Sequence, residues 1–142
     1  MLYKKLKYIL IVILLVSCAK PQPSEDQITG TWKGLDGARI ELNANHKVKI
    51  VNYPLNLNNS NFKGTLNGSG TWKIYKDKRD PWWSIEILAE NDKMIPELQS
   101  KGIAIELFIT QSGLLGNGSQ VKNLFIWKGD PDLDDRYQFY KN

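Results

Sequence analysis

The stretch Trp82-Trp83-Ser84-Ile85-Glu86-Ile87-Leu88-Ala89 decides the fold. Trp83, Ile85 and Ile87 fall on one face, Ser84 and Glu86 on the other. That is the period of a strand with one dry and one wet side. The same period recurs outward in both directions. Ile103 to Thr110 sets Ile103, Ile105, Leu107 and Ile109 against polar neighbours, and Ala38 to Leu42 and Lys47 to Ile50 alternate as well.

Between these runs the chain reads as turns. Thr29 to Lys33 is a short first strand, and Asn43 to His46 is a turn. Residues 52 to 61 are rich in Asn and contain Pro54, which predicts an irregular loop. Gly64 to Leu66 is a short strand before Asn67-Gly68, a pair suited to a type I′ hairpin. Gly70 to Tyr75 is a strand, and Lys76 to Pro81 a charged turn. In Asn91 to Gly102, Pro96 bars a long helix and permits one turn over Pro96 to Ser100. Ser112 to Ser119, with Asn117-Gly118, is a further turn. Val121 to Lys128 is a strand, Gly129 to Asp134 a tight acidic turn, and Arg136 to Tyr140 a closing strand. About eight short strands joined by hairpins, with no long helix, predict an all-β fold, a small antiparallel up-and-down β-barrel that removes its own edges. The alternative is a β-sandwich. The inward set is then Ile40, Leu42, Val48, Ile50, Trp72, Ile74, Trp83, Ile85, Ile87, Ile105, Leu107, Phe125, Trp127 and Phe139.

The chain has 142 residues with 19 Lys and Arg against 15 Asp and Glu. Three of those cations, Lys4, Lys5 and Lys7, precede residue 18, leaving 16 against 15 in the remainder. A balance so close to neutral gives no electrostatic ground for nucleic acid binding.

Lys4, Lys5 and Lys7 are followed by an apolar run from Ile9 to Val16 and then by a polar, Pro-bearing stretch. These are the parts of a secretory signal, and the run is too short for a spanning helix of about 20 apolar residues. Leu15-Val16-Ser17-Cys18 resembles the lipobox of a bacterial lipoprotein, and Cys18 is the only cysteine. The resemblance implies a signal peptide over 1–17, cleavage before Cys18, and lipidation of its sulfur by a diacylglyceryl thioether with acyl chains such as palmitate. Residues 18–27 then form the lipidated tether and 28–142 the folded domain. Ala19, in place of Asp, implies the outer membrane of the cell envelope. With Cys18 lipidated, no thiol is left for a disulfide or for cysteine chemistry.

Gly30-Thr31-Trp32-Lys33 opens the first strand, and Gly70-Thr71-Trp72-Lys73 repeats the phrase. A Gly-x-Trp at that place resembles the opening of the lipocalins and calycins. Taken with Gly68 to Trp72, Gly129-Asp130-Pro131-Asp132 and Arg136-Tyr137-Gln138-Phe139, the chain is similar to an uncharacterised family of small exported bacterial lipocalin-like proteins. The resemblance implies that Trp32 plugs the closed end of the barrel and that Arg136, on the last strand, stacks on it. The long first loop and C-terminal helix usual in lipocalins have no counterpart in the pattern.

Catalytic groups are sparse. His46 is the only histidine and sits in a turn, and no nucleophile elbow, phosphate-binding loop or zinc motif is present. Glu86 and Glu106 alternate against apolar neighbours and can face the same way as a carboxylate pair. Asp130, Asp132 and Asp134 have the spacing of the first ligands of a calcium loop, without its central Gly or terminal Glu. Trp82 points opposite to Trp83, beside Lys78, Arg79 and Asp80, as a contact for a partner, sugar or lipid surface. The sequence thus predicts a non-enzymatic, monomeric, membrane-anchored lipoprotein without cofactor. Its domain would bind a small apolar ligand or an envelope protein, with Trp82, Trp32 and Arg136 as candidate contacts. The alternative is a structural lipoprotein with a filled core and no ligand.

Overall fold

The alternating stretch opens strand β5 of a closed barrel. The computed structural model describes residues 20–95, 100–113 and 119–142. A short helix, α1 (Glu25–Ile28), precedes eight strands: β1 (Gly30–Lys33), β2 (Arg39–Leu42), β3 (Lys47–Pro54), β4 (Thr65–Tyr75), β5 (Ser84–Ile95), β6 (Ser100–Ser112), β7 (Gln120–Trp127) and β8 (Arg136–Lys141). Each strand pairs antiparallel with the next, and β8 returns to β1 through Trp32↔Lys141 and Lys33↔Tyr140. The fold is therefore the up-and-down barrel that the alternation and turns predict, and no edge is left unpaired. Among the described residues no helix is long and apolar enough to cross a membrane.

Registers carry the alternation into the core. Ile85 opposes Leu107, Ile87 opposes Ile105 on one side and Trp72 on the other. These side chains join Trp32, Ile40, Leu42, Val48, Ile50, Tyr53, Leu66, Leu124 and Phe139 in one buried cluster, with Ile74 and Trp83 packed at its margin. Tyr53 and Phe139 lie parallel and offset inside it, ring centres 6.3 Å apart.

Both ends are covered. At one, α1 lies with the β2–β3 and β4–β5 connections and with Ser119, whose carbonyl accepts from Gln27 Nε2 at 3.0 Å, and Ile28 and Pro23 are buried. At the other, the connections 34–38 and 55–64 close over Tyr53 and Tyr137. The Tyr137 hydroxyl donates to Leu35 O at 2.6 Å, and that of Tyr53 to Asn58 Oδ1 at 2.6 Å. Burial, and then the Tyr137 phenol nearby, push Tyr53 far above the ordinary tyrosine range. Burial and the Asp36 carboxylate raise Tyr137 in the same direction.

Several local expectations change. Asn67-Gly68 is no turn; it lies within β4, where Gly68 and Gly70 serve close approach. A Cβ on Gly70 would stand 2.0 Å from Leu88 O, and one on Gly68 1.8 Å from Glu90 O. The loop expected from residue 52 begins later. β3 runs through Tyr53 to Pro54 past a bulge at Asn52 (φ 52), and a 3-10 turn, Leu55–Leu57, follows. Phe125 and Trp127, expected inward, face outward. Leu124 and Ile126 take the core positions, opposite Phe139 and Tyr137. The possible helical turn at Pro96 to Ser100 falls largely on residues 96–99, and Asn117-Gly118 on 114–118, outside the described residues. Residues 1–19, with the expected signal and Cys18, also lie outside them.

Candidate functional site

Side chains with outward positions converge on one face of β5 to β8. Strand β7 reads Asn123-Leu124-Phe125-Ile126-Trp127, apolar on both faces, so its outer residues need cover as its inner ones do. Phe125 lies opposite Phe108 of β6, ring centres 5.4 Å apart, and meets Trp127 edge-on at 5.1 Å. Trp82 closes on Phe125 from the start of β5 at 5.5 Å, also edge-on. Phe125 is thereby fully buried although it points away from the barrel axis.

Arg136 occupies the centre of these rings. Its guanidinium carbon stands 4.5 Å from the centres of Phe125 and Trp127 and 5.5 Å from that of Trp82. Nη2 bonds Asp134 Oδ1 at 2.6 Å, and Nε is buried with no hydrogen-bond partner among the described residues, beside aromatic surface. Two of the three residues singled out from the sequence, Trp82 and Arg136, thus meet. The third does not join them. Trp32 is fully buried at the end covered by α1, its indole N–H donating to Ile28 O at 2.7 Å. The expected stacking of Arg136 on Trp32 is not formed. The cation over that ring is Lys141, at 5.6 Å, because the β1–β8 register places Lys141 directly opposite Trp32. Lys141 Nζ also donates to Gln27 O at 2.9 Å and Asp26 O at 3.3 Å, fastening α1.

Below the aromatic cluster lies an open groove of about 500 Å³, walled by Tyr75, Phe108 and Trp127 and floored toward Leu57 and Asn58. Glu86 and Glu106, paired directly across β5 and β6, both line it. Like charges so placed repel, and each has a neighbour that offsets this. Lys73 Nζ lies 3.2 Å from Glu86, and Ser84 Oγ donates to Glu106 Oε1 at 2.9 Å. The result is an acceptor-rich strip beside exposed ring faces, suited to hold a molecule with an apolar face and hydrogen-bond donors. A second surface groove, about 870 Å³, runs outside β3 to β6 and is lined mainly by small residues such as Ser69, Gly70, Gly102 and Ala104.

The acidic turn is built as a hairpin connection. Asp130 Oδ1 accepts from Asp132 N at 3.0 Å and starts the 3-10 turn Pro131–Leu133; Asp134 has φ 53 and pairs Arg136, and Asp135 pairs Lys128 at 3.4 Å. Among the described residues no three His, Cys, Asp or Glu side chains converge as a metal site. His46 is exposed, with Nε2 3.6 Å from Glu25 Oε1 and its ring 5.1 Å from that of Trp72.

Phe108, Phe125 and Trp127 were not singled out as a site from sequence, whereas Glu86 and Glu106 do face the same way as a pair across β5 and β6. One signal was available: the unbroken apolar run of β7, which marks a strand covered on both faces. Compared with protein-family models, curated proteins and solved structures, the chain matches none.

Proposed function

We propose that the protein is a lipid-anchored lipoprotein of the bacterial outer membrane whose lipocalin-like barrel is a binding or interaction module, not an enzyme. Binding belongs on this reading to the outer groove and not to the barrel interior. The observation that carries it is the groove of about 500 Å³ that sets Tyr75, Phe108 and Trp127 against Glu86 and Glu106. The interior positions hold Trp32, Tyr53, Trp72, Phe139 and the branched aliphatic residues, all buried, which leaves them as core. The groove's residues suit a small amphipathic ligand that lays an apolar face on Phe108 and Trp127 and turns donor groups to the carboxylates. Anchoring through Cys18, and absence of catalysis, rest on the lipobox resemblance and on the sparse catalytic groups of the sequence.

A second reading, a structural lipoprotein without ligand, draws on the same filled interior. Native mass spectrometry of the protein purified from its own envelope separates the two. A co-purifying mass that is lost in Glu106→Gln and Trp127→Ala supports the binding module. A chain that carries no added mass beyond its acyl groups, with groove resonances indifferent to envelope extract, supports the structural reading.

A further inference from the structure

We infer that the barrel rests on the bilayer through one corner, formed by Lys20, the β4–β5 turn and the paired indoles of Trp82 and Trp83, with lipid headgroups as its partner. This rests on the lipid-anchor reading of Cys18.

The segment leading from the anchor is built into the barrel. Lys20 O accepts from Trp83 Nε1 at 3.1 Å, and Lys20 Nζ lies 5.0 Å from the centre of the Trp82 ring. Pro21 O accepts from Gln111 Nε2 at 3.2 Å, and Pro23 is buried. Cys18 is only two residues before Lys20. Two residues of extended chain reach at most about 7 Å. The headgroup layer on each side of a bilayer is about 5–8 Å thick. An acylated sulfur at the base of that layer therefore holds the Lys20 corner at or close to the headgroups.

The chemistry of the corner suits such a surface. Trp82 and Trp83 are each partly exposed, and indoles favour the boundary where one end is apolar and the other wet. Lys76 Nζ lies 5.0 Å from the centre of the Trp83 ring, and Lys78 and Arg79 are exposed at the tip of the turn. The carboxylates of the same turn are engaged locally: Asp77 with Arg79 N at 2.8 Å, and Asp80 with Trp82 N at 2.9 Å. Four cations (Lys20, Lys76, Lys78, Arg79) against two carboxylates leave the corner positive, complementary to headgroup phosphates.

The test is tryptophan quenching in vesicles of phosphatidylethanolamine and phosphatidylglycerol with acyl chains brominated near the glycerol. The protein is purified from its own envelope and reconstituted. Wild type should lose emission relative to unbrominated vesicles, and Trp82→Phe/Trp83→Phe should show a loss at least about twofold smaller, since of the three indoles that remain Trp32 and Trp72 are buried in the barrel and only Trp127 is partly exposed. Matching far-UV circular dichroism of the two proteins at the assay temperature excludes unfolding as the cause. Vesicle-bound, acylated wild type with no quenching overturns the inference and leaves the anchor reading intact. An N-terminus without acyl mass overturns the anchor reading itself. The mature chain from Cys18, coupled through its single thiol to a maleimide headgroup lipid, then tests the corner alone, and absence of quenching there rejects it.

Discussion

Replacing Trp32 with alanine tests the closure of the barrel most directly. Trp32 is fully buried, and three features depend on it. The indole fills the base of the core, its N–H satisfies Ile28 O at 2.7 Å, and its face carries Lys141 Nζ, which in turn holds Asp26 O and Gln27 O. A buried tryptophan removes about 150–250 Å² from water, and at about 25 cal/mol per Å² that is roughly 4–6 kcal/mol before relaxation. Measured truncations of this kind cost about 3–5 kcal/mol. Loss of the partner of Ile28 O keeps the expectation at the upper end, about 4–5 kcal/mol. Against a usual domain stability of about 5–15 kcal/mol, this leaves a barely folded protein.

The assay is urea denaturation followed by circular dichroism. With a slope of about 2 kcal/mol per molar, the midpoint should fall by about 2 M. Trp32→Phe, which keeps most of the apolar volume and deletes the donor, should lose about 1–3 kcal/mol. Trp82→Ala is the control. A fully exposed side chain would cost less than about 1 kcal/mol. The contact of Trp82 with Phe125, and the cations of Lys20 and Arg136 over its ring, raise the expectation to about 1–2 kcal/mol. A Trp32→Ala midpoint no lower than that of Trp82→Ala would refute the plug, and with it the reasoning that α1 and β1 close this end together.

Three further outcomes follow from the geometry. Gly70→Ala should destabilise by about 1–3 kcal/mol in the same titration, because its Cβ has no room beside Leu88 O unless β4 and β5 separate. Stability should fall as pH rises above about 10. There the unfolded state loses tyrosine protons that Tyr53 and Tyr137, both raised, still hold in the fold, with a slope of up to about 1.4 kcal/mol per pH unit for each residue. Tyr53→Phe should flatten that slope in melts taken across the alkaline range. Millimolar calcium should leave the melting temperature unchanged within about 1 °C, whereas a native-state site filled a hundredfold above its Kd would add about 2.7 kcal/mol. A calcium shift abolished by Asp132→Asn would contradict the structural role of the acidic turn.

The barrel was legible because its strands are wet on one side. Where a strand alternates, as β2, β5 and β6 do, the sequence assigns each face correctly, and Ile85, Ile87, Ile105 and Leu107 lie where the period puts them. Strand β7 does not alternate, so the period alone could not choose between Leu124–Ile126 and Phe125–Trp127 as the inner pair. The interior is already occupied by Tyr53, Trp72 and Phe139, which leaves the two aromatics of β7 outside. The Asn67-Gly68 pair misled for a related reason. Glycine reports that a side chain is not tolerated, and a positive φ in a turn and a backbone approach within a sheet leave the same mark. The partner of Trp32 was out of reach altogether, since the choice of Lys141 over Arg136 is made by the β1–β8 register, the pairing most distant in the chain.

The candidate site follows from these same constraints. A barrel closed by eight strands has an interior sized for side chains, and large residues at its inward positions fill it. Aromatic residues in excess of that volume must be placed outside, where they need cover. Arg136 supplies cover for Phe125 and Trp127, and Trp82 with Lys20 closes the upper side. The rings left without cover at the lower side, Tyr75 and the outer edge of Trp127, border the groove that holds Glu86 and Glu106. Meanwhile the indole N–H groups of Trp32, Trp72 and Trp83 each bind a backbone carbonyl at one end of the barrel, those of Ile28, Asn43 and Lys20. Two of these three bonds fix the N-terminal segment. A load on that segment is therefore transmitted to the core through indoles, so that the stretch from Lys20 to Ile28 and the barrel move as one body and the groove keeps a fixed attitude to it.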